Sequence, residues 1–276
     1  MPAPTIVPTP RRSGSSRFAK LLGGSARAKS ANRETVVASQ TRERAILIVE
    51  EGCILLESVL PSGRRQVLGF RFPGDMLCTA FVSNLPNGMA QALRNVRFLK
   101  VQHRAIRDRA ARSPQLGRAM AGLAATQAER ANLHNLVLGQ LNRQERVATF
   151  LLELALRTGT GVGEGVVMPL PMTRNHIADY LGLNVDTVSR IISAFKADGI
   201  IRLPAPGGIE VPDIAALEAQ TPLGDALRAL YREDEQSDVD TFFARLGAQK
   251  SGHDHGGIFG PIPLWNAIEA PERGTE

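Results

Sequence analysis

Asp186, Ser189 and Arg190 lie within one and a half turns of each other on the polar edge of a short helical pattern, and their chemistry is that of base recognition. The guanidinium of Arg190 offers two parallel donors that match O6 and N7 of guanine. Asp186, one turn earlier, accepts from an exocyclic amino group of cytosine or adenine, and Ser189 reaches a phosphate or packs near a thymine methyl. Thr187 and Ser193 share the same edge. A local alternative exists, in which Asp186 complements the helix dipole and pairs with Arg190 at i+4 on a solvated surface.

Base reading needs a frame, and Thr173 to Asp198 supplies the outline of one. Ile177, Tyr180 and Leu181 share a helical face behind an N-cap at Thr173. Gly182 then ends that helix, Leu183 plugs a corner, and Asn184 caps a second helix from Val185. In the second helix Val188, Ile191, Ile192 and Phe195 recur at i, i+3, i+4 and i+7, an apolar stripe that must meet a core. Gly199 closes it. Downstream, Ile200–Leu203 and Gly208–Val211 flank Pro204-Ala-Pro-Gly207, the pattern of a wing hairpin in which Arg202 is a candidate phosphate contact. Thr173, Arg174 and Arg202 thus join Asp186, Thr187, Ser189 and Arg190 as the candidate DNA-binding residues.

Met172 to Ile201, and above all Asp179 to Arg190, resembles the helix-turn-helix of the Crp/Fnr family of bacterial transcription regulators, nearest its Fnr-like and FixK-like branches. The resemblance implies a homodimer that reads a palindrome of TTGA-type half-sites through an acidic residue, a serine and an arginine, with RNA polymerase as a further partner. Where the family usually carries glutamate, this chain has Asp186, one methylene shorter. The likeness extends weakly over roughly Val36 to Ala216, and Phe72-Pro-Gly-Asp75 also matches the family.

The rest of the chain is consistent with an α+β protein. Its expected parts are an N-terminal antiparallel β-roll (35–103), a long dimerisation helix (104–141) and a C-terminal winged helix-turn-helix (142–215). A basic arm (1–34) and an extension (216–276) flank them. The net charge of +6 is concentrated in residues 1 to 44, where nine Arg and Lys face Glu34 and Glu43. With its Ser, Ala, Gly and Pro content the arm is expected to be disordered, either a solvated tail or a non-specific phosphate contact. Short apolar runs at Ala45–Val49, Cys53–Leu56, Gln66–Phe70 and Val96–Val101, separated by Pro-Ser-Gly and Pro-Gly-Asp turns, predict the roll, which the resemblance makes cyclic-nucleotide-binding-like. Met76 to Ala92 nevertheless holds no charged residue to take a cyclic phosphate or a ribose. Cyclic AMP is therefore not expected, and Cys53 and Cys78 form no cluster for an iron–sulfur centre.

Leu116, Met120 and Leu123, continuing through Gln127, Arg130 and His134 to Val137 and Leu141, follow the spacing of a coiled-coil seam. The seam serves either a twin subunit or the chain's own roll. Asn142-Arg-Gln-Glu145 predicts a capping box for the next helix, with Gly139 as a hinge. Gly159 to Val167 reads as a glycine loop, and His253-Asp-His255 is too sparse for a metal site. No enzyme motif occurs, so the alternatives are a DNA-binding regulator or a sensor and interaction module that has lost DNA affinity. The lack of an apolar signal core or of a membrane-length apolar run predicts the cytoplasm.

Overall fold

The computed structural model describes residues 21–22, 26–40, 43–162, 165–204 and 207–231. Its N-terminal strands are β1 (Arg27–Ala31), β2 (Val36–Ala38), β3 (Ala45–Glu51), β4 (Ile54–Val59), β5 (Arg65–Arg71), β6 (Met76–Cys78), β7 (Met89–Ala92) and β8 (Val96–Gln102), with a short helix α1 (Thr79–Asn84) after β6. They form two antiparallel sheets, β1-β8-β3-β6 and β2-β7-β4-β5. In β3 and β4 the apolar runs are continuous because both faces of these central strands are covered. In β3, Leu47 and Val49 point into the roll against Ile54, Leu56 and Phe98, whereas Ile46 and Ile48 point out against Leu99, Ile106 and Leu116. In β4, Leu55 faces the opposite way and joins the core of the C-terminal domain.

The arm expected to be disordered over 1–34 contains an ordered edge strand. β1 pairs with β8 from Arg27↔Lys100 to Ala31↔Val96, and Leu22 is fully buried. Its basic residues stay in solvent, which is how an edge strand avoids recruiting another chain. The remainder of the arm lies outside the described residues.

The expected single helix over 104–141 is two, α2 (His103–Ala110) and α3 (Pro114–Gln140). Ser113 turns out of helical geometry and its hydroxyl accepts from the Leu116 amide, while Pro114, which has no N–H to lose, opens α3. Leu116 of the inferred seam is fully buried, and half-buried Met120 and Leu123 pack with it against the outer face of the roll. The seam's polar continuation also points inward. Gln127 donates to the Met76 carbonyl, Arg130 pairs with Asp75, and His134 stacks on Tyr180 with ring centroids 4.0 Å apart. A second stripe about 100° around the helix, Gly117, Ala121, Ala124, Ala128, Ala131, Asn135 and Leu138, keeps the four-three heptad spacing, and its residues from Ala121 to Asn135 are exposed.

The capping box forms as expected. The Asn142 side chain accepts from the amides of Gln144 (2.9 Å) and Glu145 (3.0 Å), and Glu145 returns to the Asn142 amide at 2.8 Å. It opens α4 (Arg143–Thr158). The chain bends at the extended residues Leu141 and Asn142; Gly139, expected as the hinge, stays inside α3.

Gly159 to Val167, expected as a loop, carries β9 (Thr160–Val162) and β10 (Gly165–Pro169). Glycine at 165 permits the close approach of the later backbone at Val211, since a Cβ there would sit 2.6 Å from the Val211 carbonyl oxygen. Next come α5 (Arg174–Leu181), α6 (Val185–Ala197) and β11 (Gly208–Val211), which pairs with β10 in a sheet ordered β11-β10-β9. The expected partner strand at Ile200–Leu203 contributes a single bridge, Arg202↔Glu210. The C-terminal domain does not stop at 215. Helices α7 (Ile214–Glu218) and α8 (Gly224–Tyr231) follow, and Leu217, Leu227 and Tyr231 are buried in its core. The rest of the extension, from residue 232 and including the His253-Asp-His255 pair, lies outside the described residues.

Candidate nucleic-acid interface

Thr173 caps α5 by accepting from the His176 amide at 3.2 Å, and the His176 ring accepts from the Thr173 amide at 3.3 Å. Gly182 adopts φ 61° and ψ 39°, a left-handed conformation that costs glycine least. Leu183 fills the corner, packed against the core, and Asn184 accepts from the Asp186 amide at 2.8 Å to open α6. Val188, Ile192 and Phe195 are buried, and burying each such side chain is worth about 1.5–3 kcal/mol. That burial fixes the rotation of α6 about its axis.

Asp186, Arg190 and Ser193 are therefore exposed, with Thr187 and Ser189 half-buried on the same edge. Among the described residues neither the Asp186 carboxylate nor the Arg190 guanidinium has an ion-pair partner, so the local i,i+4 pairing does not form. Thr173 is exposed at the head of α5. Beside it Arg174 is half-buried with Nη1 lacking a partner, and burial lowers its pKa. Arg202 is exposed on the wing but engaged by Glu210 at 3.0 Å.

Three features with no motif of their own join this reader to the rest of the chain. Arg65 and Gln66 of β5 reach the end of α5, and Arg146 of α4 bonds both α3 and α5. Asp75, on the turn after β5, pairs with Arg130 of α3 and Arg157 of α4 and accepts from the Phe72 amide at 2.9 Å. Burial pushes the Asp75 carboxyl upward, but Arg130, Arg157 and Arg71 together outweigh it and hold the group well below the ordinary carboxylate range. The Arg157 guanidinium lies 4.7 Å from the Phe72 ring centroid, and Tyr231, over which Arg130 sits at 5.1 Å, donates to Glu153 at 2.7 Å.

His134 lines a cavity of about 10 Å³ with Arg130, Glu153 and Tyr180, and its Nε2 is buried without a partner. Burial depresses its pKa, with Arg146 acting in the same direction against the opposing pull of Glu153. The unfolded chain then binds the proton more readily than the folded one. The stability tied to a neutral His134 is present above the unfolded pKa and is lost as pH falls through the folded value. Thermal melts between pH 7.5 and 5 are expected to show a falling midpoint, and His134→Gln should flatten the slope, which for one proton is bounded at about 1.4 kcal/mol per pH unit. His176 carries the same sign and leaves a residual slope.

The profile of the Crp-like helix-turn-helix domain matches residues 145–220. Over 190 residues the chain is 38% identical to the nitrogen fixation regulation protein FixK of Bradyrhizobium diazoefficiens, covering 67% of this chain and 78% of that protein. The chain belongs to the Crp/Fnr family of transcription regulators. A FixK of Azorhizobium caulinodans is 34% identical over 173 residues, 62% of this chain and 69% of that protein. The solved structure of FixK2 from Bradyrhizobium japonicum superposes with a TM-score of 0.63 at 29% identity, covering 71% of this chain and 97% of that one. As a Crp/Fnr, FixK-like regulator, the chain joins a cyclic-nucleotide-binding-like roll and a long helix to a helix-turn-helix, and the relatives it matches are regulators, not enzymes. Among the described residues no helix is long and apolar enough to cross a membrane.

Proposed function

We propose that the chain binds double-stranded DNA as a homodimer and reads a palindrome with TTGA-like half-sites through Asp186, Ser189 and Arg190. The observation that carries this reading is the orientation of α6: its apolar face is locked in the core while two charged side chains of opposite sign stand exposed and unpaired on the other. Arg190 takes guanine, Asp186 an exocyclic amine, and Thr173, Arg174, Thr187 and Arg202 serve the flanking phosphates. RNA polymerase is the further partner that family membership suggests. Anisotropy titrations against a TTGA palindrome and a scrambled duplex at one fixed salt concentration test the reading. Equal affinity for both would overturn sequence-specific binding.

The dimer contact is assigned to the exposed, mostly small-residue stripe of α3 from Ala121 to Asn135, which lies about 100° around the helix from the face used by the roll. Two such stripes permit close helix approach and the two-fold symmetry a palindrome requires. Ala128→Glu places two carboxylates across that contact. Sedimentation is expected to give half the wild-type mass, and operator affinity should fall at least tenfold toward that of a half-site. A dimer of unchanged stability would exclude this face.

The roll takes no cyclic nucleotide in this reading. Its filling is hydrocarbon, with Leu77, Val82, Ala90 and Ala92 supplied by the very stretch that would need a guanidinium and a carboxylate, so the residues present do not fit that ligand. Nor is an iron–sulfur centre proposed: Cys53 is buried, and burial pushes its thiol far up, away from the thiolate a metal requires.

A further inference from the structure

Helix α5 has only eight residues, so half of its carbonyls fall in the last turn, where a helix supplies no donors of its own. The Ala178 carbonyl accepts from the Gly182 and Leu183 amides. The next three are met from outside the two-helix unit. Gln66 of the roll donates Nε2 to the Asp179 carbonyl at 2.7 Å and to the Tyr180 carbonyl at 3.3 Å. Arg146 donates Nη1 to the Leu181 carbonyl at 3.1 Å, while its Nη2 and Nε hold the Leu138 and Leu141 carbonyls at the end of α3, at 2.8 and 2.9 Å. Arg65, beside Gln66, closes on the Asp179 carboxylate through Nε at 2.8 Å and on buried Glu57 at 3.5 Å.

We infer that Gln66 and Arg146 are positioning residues of the DNA reader, setting the angle at which α6 is presented by capping α5 from the roll and from the end of α3. This rests on the DNA-binding reading above. Gly182 to Asn184 is a short, fully specified corner, so a rotation of the last turn of α5 is carried directly into α6. Neither residue lies on the recognition edge, and their effect on DNA is one of geometry. Because Gln66 belongs to the sheet, a displacement of the roll reaches the reader without travelling along α3.

The test uses the full chain, anisotropy titrations, and palindromes whose half-site spacing is varied in steps of one base pair. The wild-type protein should prefer one spacing. Gln66→Ala and Arg146→Met are each expected to weaken binding to that operator about five- to tenfold, the size of one or two lost hydrogen bonds, and to narrow the discrimination between spacings. The salt dependence should stay unchanged, since no phosphate contact is removed. Gln66→Lys, which restores a donor of similar reach, should recover both affinity and discrimination. Thermal midpoints report folding, and isosteric Gln66→Glu, which cannot donate and faces Asp179, keeps the measurement available if the alanine variant unfolds. Wild-type spacing preference and affinity in Gln66→Ala, tighter binding, or failure of the lysine rescue would overturn the inference alone. A wild-type protein indifferent to every palindrome would overturn the DNA-binding reading and this inference with it.

Discussion

Asp75→Ala is expected to destabilise the protein by about 3–5 kcal/mol, the usual consequence of removing one partner from a buried charge cluster. The Asp75 side chain is 8% exposed and those of Arg157 and Arg130 are 10% and 15% exposed, so water screens the arginines poorly once the carboxylate is gone. Two guanidiniums would then face each other with Arg71 nearby, and the Phe72 amide would lose its acceptor. At about 2–4 °C per kcal/mol for a domain of 150–250 residues, the thermal midpoint should fall by roughly 6–20 °C. Asp75→Asn, which keeps an acceptor but loses the charge, should fall between. Glu50→Ala provides the contrast: its partner Arg97 is half exposed, and surface pairs of that kind are worth about 0–1 kcal/mol. A midpoint that moved no more in Asp75→Ala than in Glu50→Ala would show that the arginines do not depend on this carboxylate.

Arg190→Ala should abolish discrimination at one base pair of each half-site, because the bidentate contact to guanine carries about 1–3 kcal/mol of selectivity. That is roughly 5- to 150-fold per half-site, and a dimer loses it twice. Folding should be untouched, since the side chain is exposed and unpaired. Affinity for a scrambled duplex should change little, which separates loss of base reading from loss of bulk attraction. The check is a pair of titrations, one on the palindrome and one on a version with the guanine replaced. Arg190→Ala distinguishing the two as well as wild type does would remove Arg190 from the reading.

The reader was legible in the sequence because its elements are local: the Thr173 cap, the Gly182 corner and the stripe from Val188 to Phe195 each follow from residues a few positions apart. Strands β3, β4, β5 and β8 were visible as apolar runs for the same reason. What the sequence hid depends on choices between long-range partners. Helix α3 carries two stripes at heptad spacing, and periodicity alone does not say which meets the roll. The larger side chains, Leu116, Met120 and Leu123, bury more hydrocarbon and take the interior, leaving the alanines outside. Strand β1 looked like a basic arm because an edge strand with solvent over most of its side chains has no alternation to show. The β9 and β10 pair was masked by glycines that serve close backbone approach. Gln66, Arg146 and Asp75 had no local signature, since each acts on an element far along the chain.

The alanine stripe of α3 also has a quantitative consequence for the proposed assembly. Methyl groups displace little water when two helices meet, so such a contact holds subunits together more by snug approach than by hydrocarbon buried. Association of that kind is set by abundance, and the paired form grows with the square of the subunit concentration when most copies are single. Operator occupancy would then respond steeply to how much protein the cell makes, giving control at the level of synthesis on the proposed reading in which the roll takes no cyclic nucleotide.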